Sequence, residues 1–233
     1  MNKKVAIVQS CYVPWKGYFD LINSADTFIL YDDVQYTKND WRNRNLILTP
    51  QGVQWLTIPV HGGLDKQIKE VCVANHYWPV KHWKTLQANY SKSAYFKQYA
   101  EHFERIYFEC RTLSLLSHIN YKFIELICGL LNIKTKLTWS MDHAPERIHM
   151  QDKTARVIAL CKSVNANSYI SGPSAMNYIN EEKFHREEIN IRYIDYSDYL
   201  PYRQLYGQFT HYVSILDLLF NHGPHTPKYM KSF

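Results

Sequence analysis

The chain opens on a short, wholly apolar run, Val5 to Val8, with lysines before it and a polar-aromatic loop after it. An unalternating run of that length predicts a strand buried on both faces, set over residues 3–9. Tyr18, Leu21 and Ile22 then share one face of a short helix over 17–24, and residues 27–31 return to a buried strand. Strand, helix and strand in succession predict a β-α-β unit and the start of a parallel sheet. Two further runs, 46–48 and 53–58, flank the turn signal Pro50, Gln51, Gly52 and predict a hairpin over 45–60. Rough alternation over 68–74 predicts a half-buried strand.

The period changes from 79 to 131. Pro79 suits the first turn of a helix. Phe96, Tyr99, Phe103 and Ile106, and later Leu116, Ile119, Phe123, Ile127 and Leu130, recur at helical spacing, so three helices are predicted. Alternation of the two element types then resumes. A strand over 134–139, a helix over 152–164 and strands at 168–171 and 189–194 precede a last helix over 213–221. Gly223 and Pro224 stop that helix, and residues 225–233 are expected to be a loose tail. The expected class is α/β: a Rossmann-like, doubly wound, mostly parallel sheet. It would form one domain over 1–233, with a hairpin and helical segment inserted at about 45–131.

Composition narrows the partners. Apolar residues make up 46% of the 233, enough for a full core, and the 19 tyrosines and 6 tryptophans add large side chains with polar handles. The net charge of +6 suits an anion such as a nucleotide, a nucleotide-sugar or RNA. The basic residues are scattered, which ranks RNA, tRNA included, behind the small anions. Five cysteines, an odd number with no CxxC pair, fit a reducing compartment. No apolar stretch is long enough for a signal-peptide core or a membrane span, so a cytoplasmic protein is expected.

Doubly wound sheets bind ligands beyond the carboxyl ends of their strands, which directs attention to three loops. The first, QSCYVPWKG over 9–17, offers Gln9, Ser10, Tyr12, Trp15 and Lys16 as substrate-binding residues. Gly17 opens the next helix there, whose free N–H groups could face an anion. Cys11 is the one candidate nucleophile, more simply read as an ordinary thiol. The second loop, YDDVQYTKNDWRNRN over 31–45, is the densest polar cluster in the chain. Asp32 and Asp33 could hold Mg²⁺, bind a sugar hydroxyl or act as a base, and with Lys38 they form the expected catalytic set. Arg42 and Arg44 could grip phosphates as bidentate forks. Tyr36 and Asn43 could contact a base or sugar. The third loop, SGPSAMN over 171–177, adds Ser171 and Gly172. Lys16, Asp33 and Arg42 are thereby expected to meet in one cleft above the sheet. Histidine spacings such as His76 to His82 and His143 to His149 match no zinc pattern, and no metal centre is expected.

With these loops in view, the chain resembles the WbqC-like family of bacteria over nearly its whole length. VAIVQSCYVPWKGYFD at 5–20 and YDDVQYTKNDWRNRN at 31–45 carry the likeness. So do WLTIPV at 55–60, YISG at 169–172 and SILDLLFN at 214–221. His222 departs from the acid often found at that place. Members often lie in gene clusters for O-antigen or other surface polysaccharides, and addition of glycine or another amino acid to a sugar has been suggested for them. The resemblance therefore implies a transferase with a nucleotide-linked amino sugar and an activated acyl or aminoacyl donor as partners. ATP and Mg²⁺ are the candidate cofactors. A nucleotidylyltransferase that makes the sugar nucleotide, and a non-catalytic nucleotide-sugar or RNA binder, are the alternatives. The opening segment also resembles nucleotidylyltransferase-type Rossmann-like domains, with WKGY at 15–18 where those carry HxGH.

Overall fold

A computed structural model describes residues 2–61, 63, 65–143 and 152–233. Five strands form one parallel sheet: β1 (Lys4–Val8), β2 (Thr27–Leu30), β7 (Lys136–Trp139), β8 (Ser168–Ser171) and β9 (Asn190–Tyr193), in the spatial order β7-β2-β1-β8-β9. Helix α1 (Lys16–Asn23) joins β1 to β2, α5 (Lys153–Ser163) precedes β8, and α6 (Glu181–Arg186) joins β8 to β9. The strand order runs outward from β1 in one direction and then resumes on its other side. The connections leaving β1 and β8 therefore part company, and a crevice opens between them.

Alternate residues of the strands serve opposite faces. Ala6, Phe28, Leu30 and Ile170 join one apolar cluster with Phe19 and Ile22 of α1. Val5, Ile7, Ile29 and Tyr169 join a second with Val157, Ile158 and Cys161 of α5 and Phe184 of α6. Burial on both sides explains why β1 and β2 read as unbroken apolar runs. The fold is mixed α/β and Rossmann-like with insertions.

Between β2 and β7 come the hairpin β3 (Arg44–Thr49) and β4 (Gly52–Thr57), the two-residue pair β5 (Val60–His61) and β6 (Cys72–Val73), and three helices, α2 (Trp78–Tyr90), α3 (Phe96–Glu109) and α4 (Leu116–Leu130). The hairpin turns at Gly52, whose φ of +103° favours glycine. The helices share the first apolar cluster with the sheet. The strand expected over 68–74 is instead a 3₁₀ turn, Ile68–Glu70, followed by β6. A reciprocal cap drives the turn, with the Gln67 N–H donating to Glu70 Oε2 at 2.8 Å.

The last helix, α7 (Ile215–His222), ends where expected, at Gly223. A Cβ on that glycine would lie 2.4 Å from the Tyr95 ring, so only glycine lets the chain pass there. The tail beyond it is not loose. Residues Gly223–Tyr229 form a 3₁₀ turn with Thr226 buried, and Met230 is buried as well. The cause is Asp20, fully buried in α1. Its Oδ1 accepts from Lys231 N at 3.0 Å, Ser232 N at 2.9 Å and Ser232 Oγ at 2.6 Å, while Tyr199 Oη donates to Oδ2 at 2.5 Å. Deleting residues 230–233 should strip three donors from a buried carboxylate and cost about 1–3 kcal/mol. A matched thermal melt of the truncated chain checks this, and an unchanged Tm would show that the tail merely lies on the surface.

Candidate functional site

The crevice between β1 and β8 is a cleft of two joined chambers. The inner chamber, about 450 Å³, lies over the strand ends and is bordered by Gln9, Ser171, Gly172 and Tyr31, with Arg42, Lys153 and Arg156 as its cations. The outer chamber, about 680 Å³, is more aromatic, bordered by Trp41, Tyr199, Tyr212, His211 and Cys11. Val8, Trp15, Tyr18, Arg42, Ser174 and Tyr196 border both.

The first loop is clamped into shape. Asn45 Nδ2 donates to the carbonyls of Tyr12 at 3.1 Å and Val13 at 3.0 Å, and Ser214 Oγ donates to Val13 O at 2.6 Å. Ile215 N reaches Pro14 O at 3.0 Å. These bonds hold Val13 at φ +37°, a conformation a β-branched residue adopts only under constraint. Trp15 is thereby laid over the start of α1, where a Cβ on Gly17 would meet its ring at 2.4 Å. The indole thus packs against the helix start at Gly17, leaving no room for a side chain there.

The expected meeting of Lys16, Asp33 and Arg42 does not occur. Arg42 borders the cleft, and its Nη1 donates to Gln9 O at 3.3 Å, Ser10 O at 3.2 Å and Cys11 Sγ at 2.8 Å. Lys16 is buried under the segment 194–214 that crosses from β9 to α7. Its Nζ donates to Leu200 O at 3.3 Å and lies over the rings of Tyr199 and Tyr202. Burial pulls this amine down to about 8. Asp33 is buried and accepts from Ser140 Oγ. Asp32 is fully buried behind the loop, accepting from Ser10 N at 2.8 Å, and burial pushes it up to about 6. Neither aspartate borders either chamber.

Of the other expected residues, Gln9, Trp15, Ser171 and Gly172 border the cleft. Ser10 is buried and accepts from Asn120 Nδ2 at 3.0 Å. Tyr12 is wholly internal, 2.7 Å from Tyr107 Oη and 2.9 Å from His82 Nδ1, because the insertion packs over it. Tyr36 donates to Asn43 Oδ1, and Asn43 donates to Ile58 O, which ties the loop to the hairpin. Lys38 is exposed, and Arg44 stacks on Trp55 with its Cζ 4.1 Å from the ring centre. The carboxylates, amides and hydroxyls of the second loop thus mostly build it. Cys11 stays a neutral thiol, since burial raises it to about 11 against the opposing pull of Arg42.

Several cleft-lining residues lie outside the three loops singled out from the sequence. Lys153 and Arg156 stand in the first turns of α5, where basic side chains oppose the helix dipole, and that placement is legible in the sequence. Arg156 Nε is buried without a hydrogen-bond partner. His211 and the tyrosines of the 194–214 segment come from irregular chain with no periodicity to mark them. Burial holds the His211 imidazolium form down, so its ring is neutral near pH 7. Among the described residues no three His, Cys, Asp or Glu side chains come together to hold a metal, and His149 lies outside those residues. Among the described residues no helix is long and apolar enough to cross a membrane.

The model of the WbqC-like protein family matches residues 9–229 of this chain. "Uncharacterized protein Rv1507c" of Mycobacterium tuberculosis (strain ATCC 25618 / H37Rv) is 46% identical over 232 residues, covering 98% of each chain. No solved structure matches significantly.

Proposed function

The chain belongs to the WbqC-like protein family, and from that premise we propose that it transfers an amino acid such as glycine, or another acyl group, to the amine of a nucleotide-linked amino sugar. One observation carries the reading: Arg42, Lys153 and Arg156 converge on a chamber at the switch point of a parallel sheet, the place where such sheets hold nucleotides. Guanidinium forks and an ammonium would hold the diphosphate there. The outer chamber would take the amino sugar and the acyl donor. The amine attacks the acyl carbon, a C–N bond forms, the donor's leaving group departs, and the amine's proton passes to a base. His211, neutral and bordering the outer chamber, is better placed for that proton than Asp32 or Asp33.

The test is incubation of the protein with a UDP-linked amino sugar and either glycine with ATP and Mg²⁺ or glycyl-tRNA, with mass spectrometry of the sugar nucleotide. The expected product is the amide, and His211→Gln should slow its formation by about 10²–10⁴-fold. Pyrophosphate release from a nucleoside triphosphate and a sugar phosphate, without amide, would reassign the protein to nucleotidyl transfer. Saturable binding without turnover of any donor would leave a binding protein.

A further inference from the structure

At the rim of the outer chamber two tryptophans stand 42% exposed, Trp41 from the second loop and Trp55 from β4. Their ring centres are 5.4 Å apart and their planes meet at 39°. Exposed indoles set side by side are unusual on a protein surface and mark binding sites. These two are also fixed. Trp41 N donates to Asp40 Oδ1 at 2.7 Å and Trp41 O accepts from Tyr12 N at 3.0 Å. The Arg44 guanidinium lies on Trp55 and is tied to Asn39, whose backbone and side-chain oxygens both accept from it. Trp41 itself borders the outer chamber, so the shelf continues the cleft outward. Two indoles tilted and in contact leave no slot for a planar base between them. The loop that carries Trp41 places Asn39 and Asp40 just before it, groups that bond hydroxyls, not the cationic track that follows a phosphate backbone. Of the cations in the same loop, Arg42 pairs with Asp40 at 3.5 Å and Arg44 is already engaged by Asn39.

We propose that the Trp41–Trp55 shelf is a saccharide subsite that stacks an uncharged pyranose ring through its C–H face, next to the sugar held in the outer chamber. The acceptor class is then a saccharide of more than one ring. The proposal rests on the proposed function for the sugar in the chamber, while the stacking itself can be read with no nucleotide present. The probe is a printed array of bacterial and chitin-derived saccharides, followed by calorimetric titration of N-acetylglucosamine, its dimer and its trimer alongside the strongest array binder.

Wild-type protein should bind at least one saccharide of two or more rings about tenfold or more above the matching monosaccharide. Trp41→Ala and Trp55→Ala should each weaken that binding about tenfold or more, and Trp55→Phe should keep most of it. Near-UV circular dichroism checks that each variant is folded. Array binding by wild type no greater than that of the Trp41→Ala/Trp55→Ala double variant overturns the proposal. So does binding of poly(U) or of phosphatidylglycerol-containing vesicles that the two alanine variants lose while no saccharide binds. A failed transfer assay with intact saccharide binding would sink the transferase reading alone, and the converse result would sink the shelf alone.

Discussion

Replacing Arg156 with alanine is expected to weaken binding of a nucleotide-linked sugar by about 10–100-fold while leaving the Tm within a few degrees of wild type. The affinity loss follows from removing charge-assisted hydrogen bonds to a phosphate, about 1.5–3 kcal/mol for bonds to a charged group. The small stability effect follows from what Arg156 does in the unliganded protein: its Nε is buried without a hydrogen-bond partner. Arg42→Ala should behave differently. Arg42 supports the carbonyls of Gln9 and Ser10 and the Cys11 thiol, so its loss should lower affinity and also cost about 1–3 kcal/mol of stability through acceptors left unpaired. Calorimetric titration of a UDP-linked amino sugar, with thermal melts of both variants, separates the two. Wild-type affinity in Arg156→Ala would remove the inner chamber from any role in phosphate binding. Equal destabilisation by both substitutions would make the cations structural. Raised salt should weaken wild-type binding and have a smaller effect on the Arg156 variant.

The contrast between the two arginines shows what sequence could and could not convey. The sheet strands were legible because burial on both faces leaves apolar runs such as Val5 to Val8, and the helices because one buried face repeats at their own period. The 68–74 segment misled because two neighbouring charges, Lys69 and Glu70, sit where a strand would alternate, and the cap between Gln67 and Glu70 offers a turn instead. The tail misled for a different reason: Asp20, which holds it, lies more than two hundred residues away.

Within the second loop, polar density suggested a site, yet polar groups are also what a buried irregular loop needs to satisfy its own backbone. Asn43 and Asn45 are spent on carbonyls, and Tyr36 on Asn43. Residue type alone does not distinguish a side chain that binds a ligand from one that replaces a missing ladder bond. Arg42 does both. Lys153 and Arg156 were separable in principle, because a helix start is the one local context where a basic residue works against its own element.

The second large effect concerns two buried groups whose responses to pH oppose each other. His82 sits between Tyr12 Oη, 2.9 Å from Nδ1, and Thr57 O, 3.2 Å from Nε2. A carbonyl can only accept, so Nε2 carries the proton and Nδ1 accepts from the tyrosine. Burial pulls this histidine down to about 4. The unfolded chain therefore binds the extra proton between about pH 6.5 and 4, and the stability His82 contributes above pH 6.5 is lost as pH falls through that window. Asp32, with burial raising it to about 6, does the reverse: the folded chain holds the extra proton between about pH 4 and 6, so its contribution is full below pH 4 and lost as pH rises. Each amounts to about 3 kcal/mol at roughly 1.4 kcal/mol per pH unit, and in the wild-type protein the two largely offset.

Substitution should unmask them. Chemical denaturation of Asp32→Asn should show its stability relative to wild type rising by about 3 kcal/mol from pH 4 to 6.5. His82→Gln should show the opposite slope over the same range, its relative stability greatest at acid pH. Any cost of the new amide in either place adds a constant and leaves the slope untouched. Curves for both variants that run parallel to wild type would mean that neither group changes its proton affinity on folding. The burial of Asp32 behind the first loop would then not carry the electrostatic cost that sets it apart from a residue at the cleft.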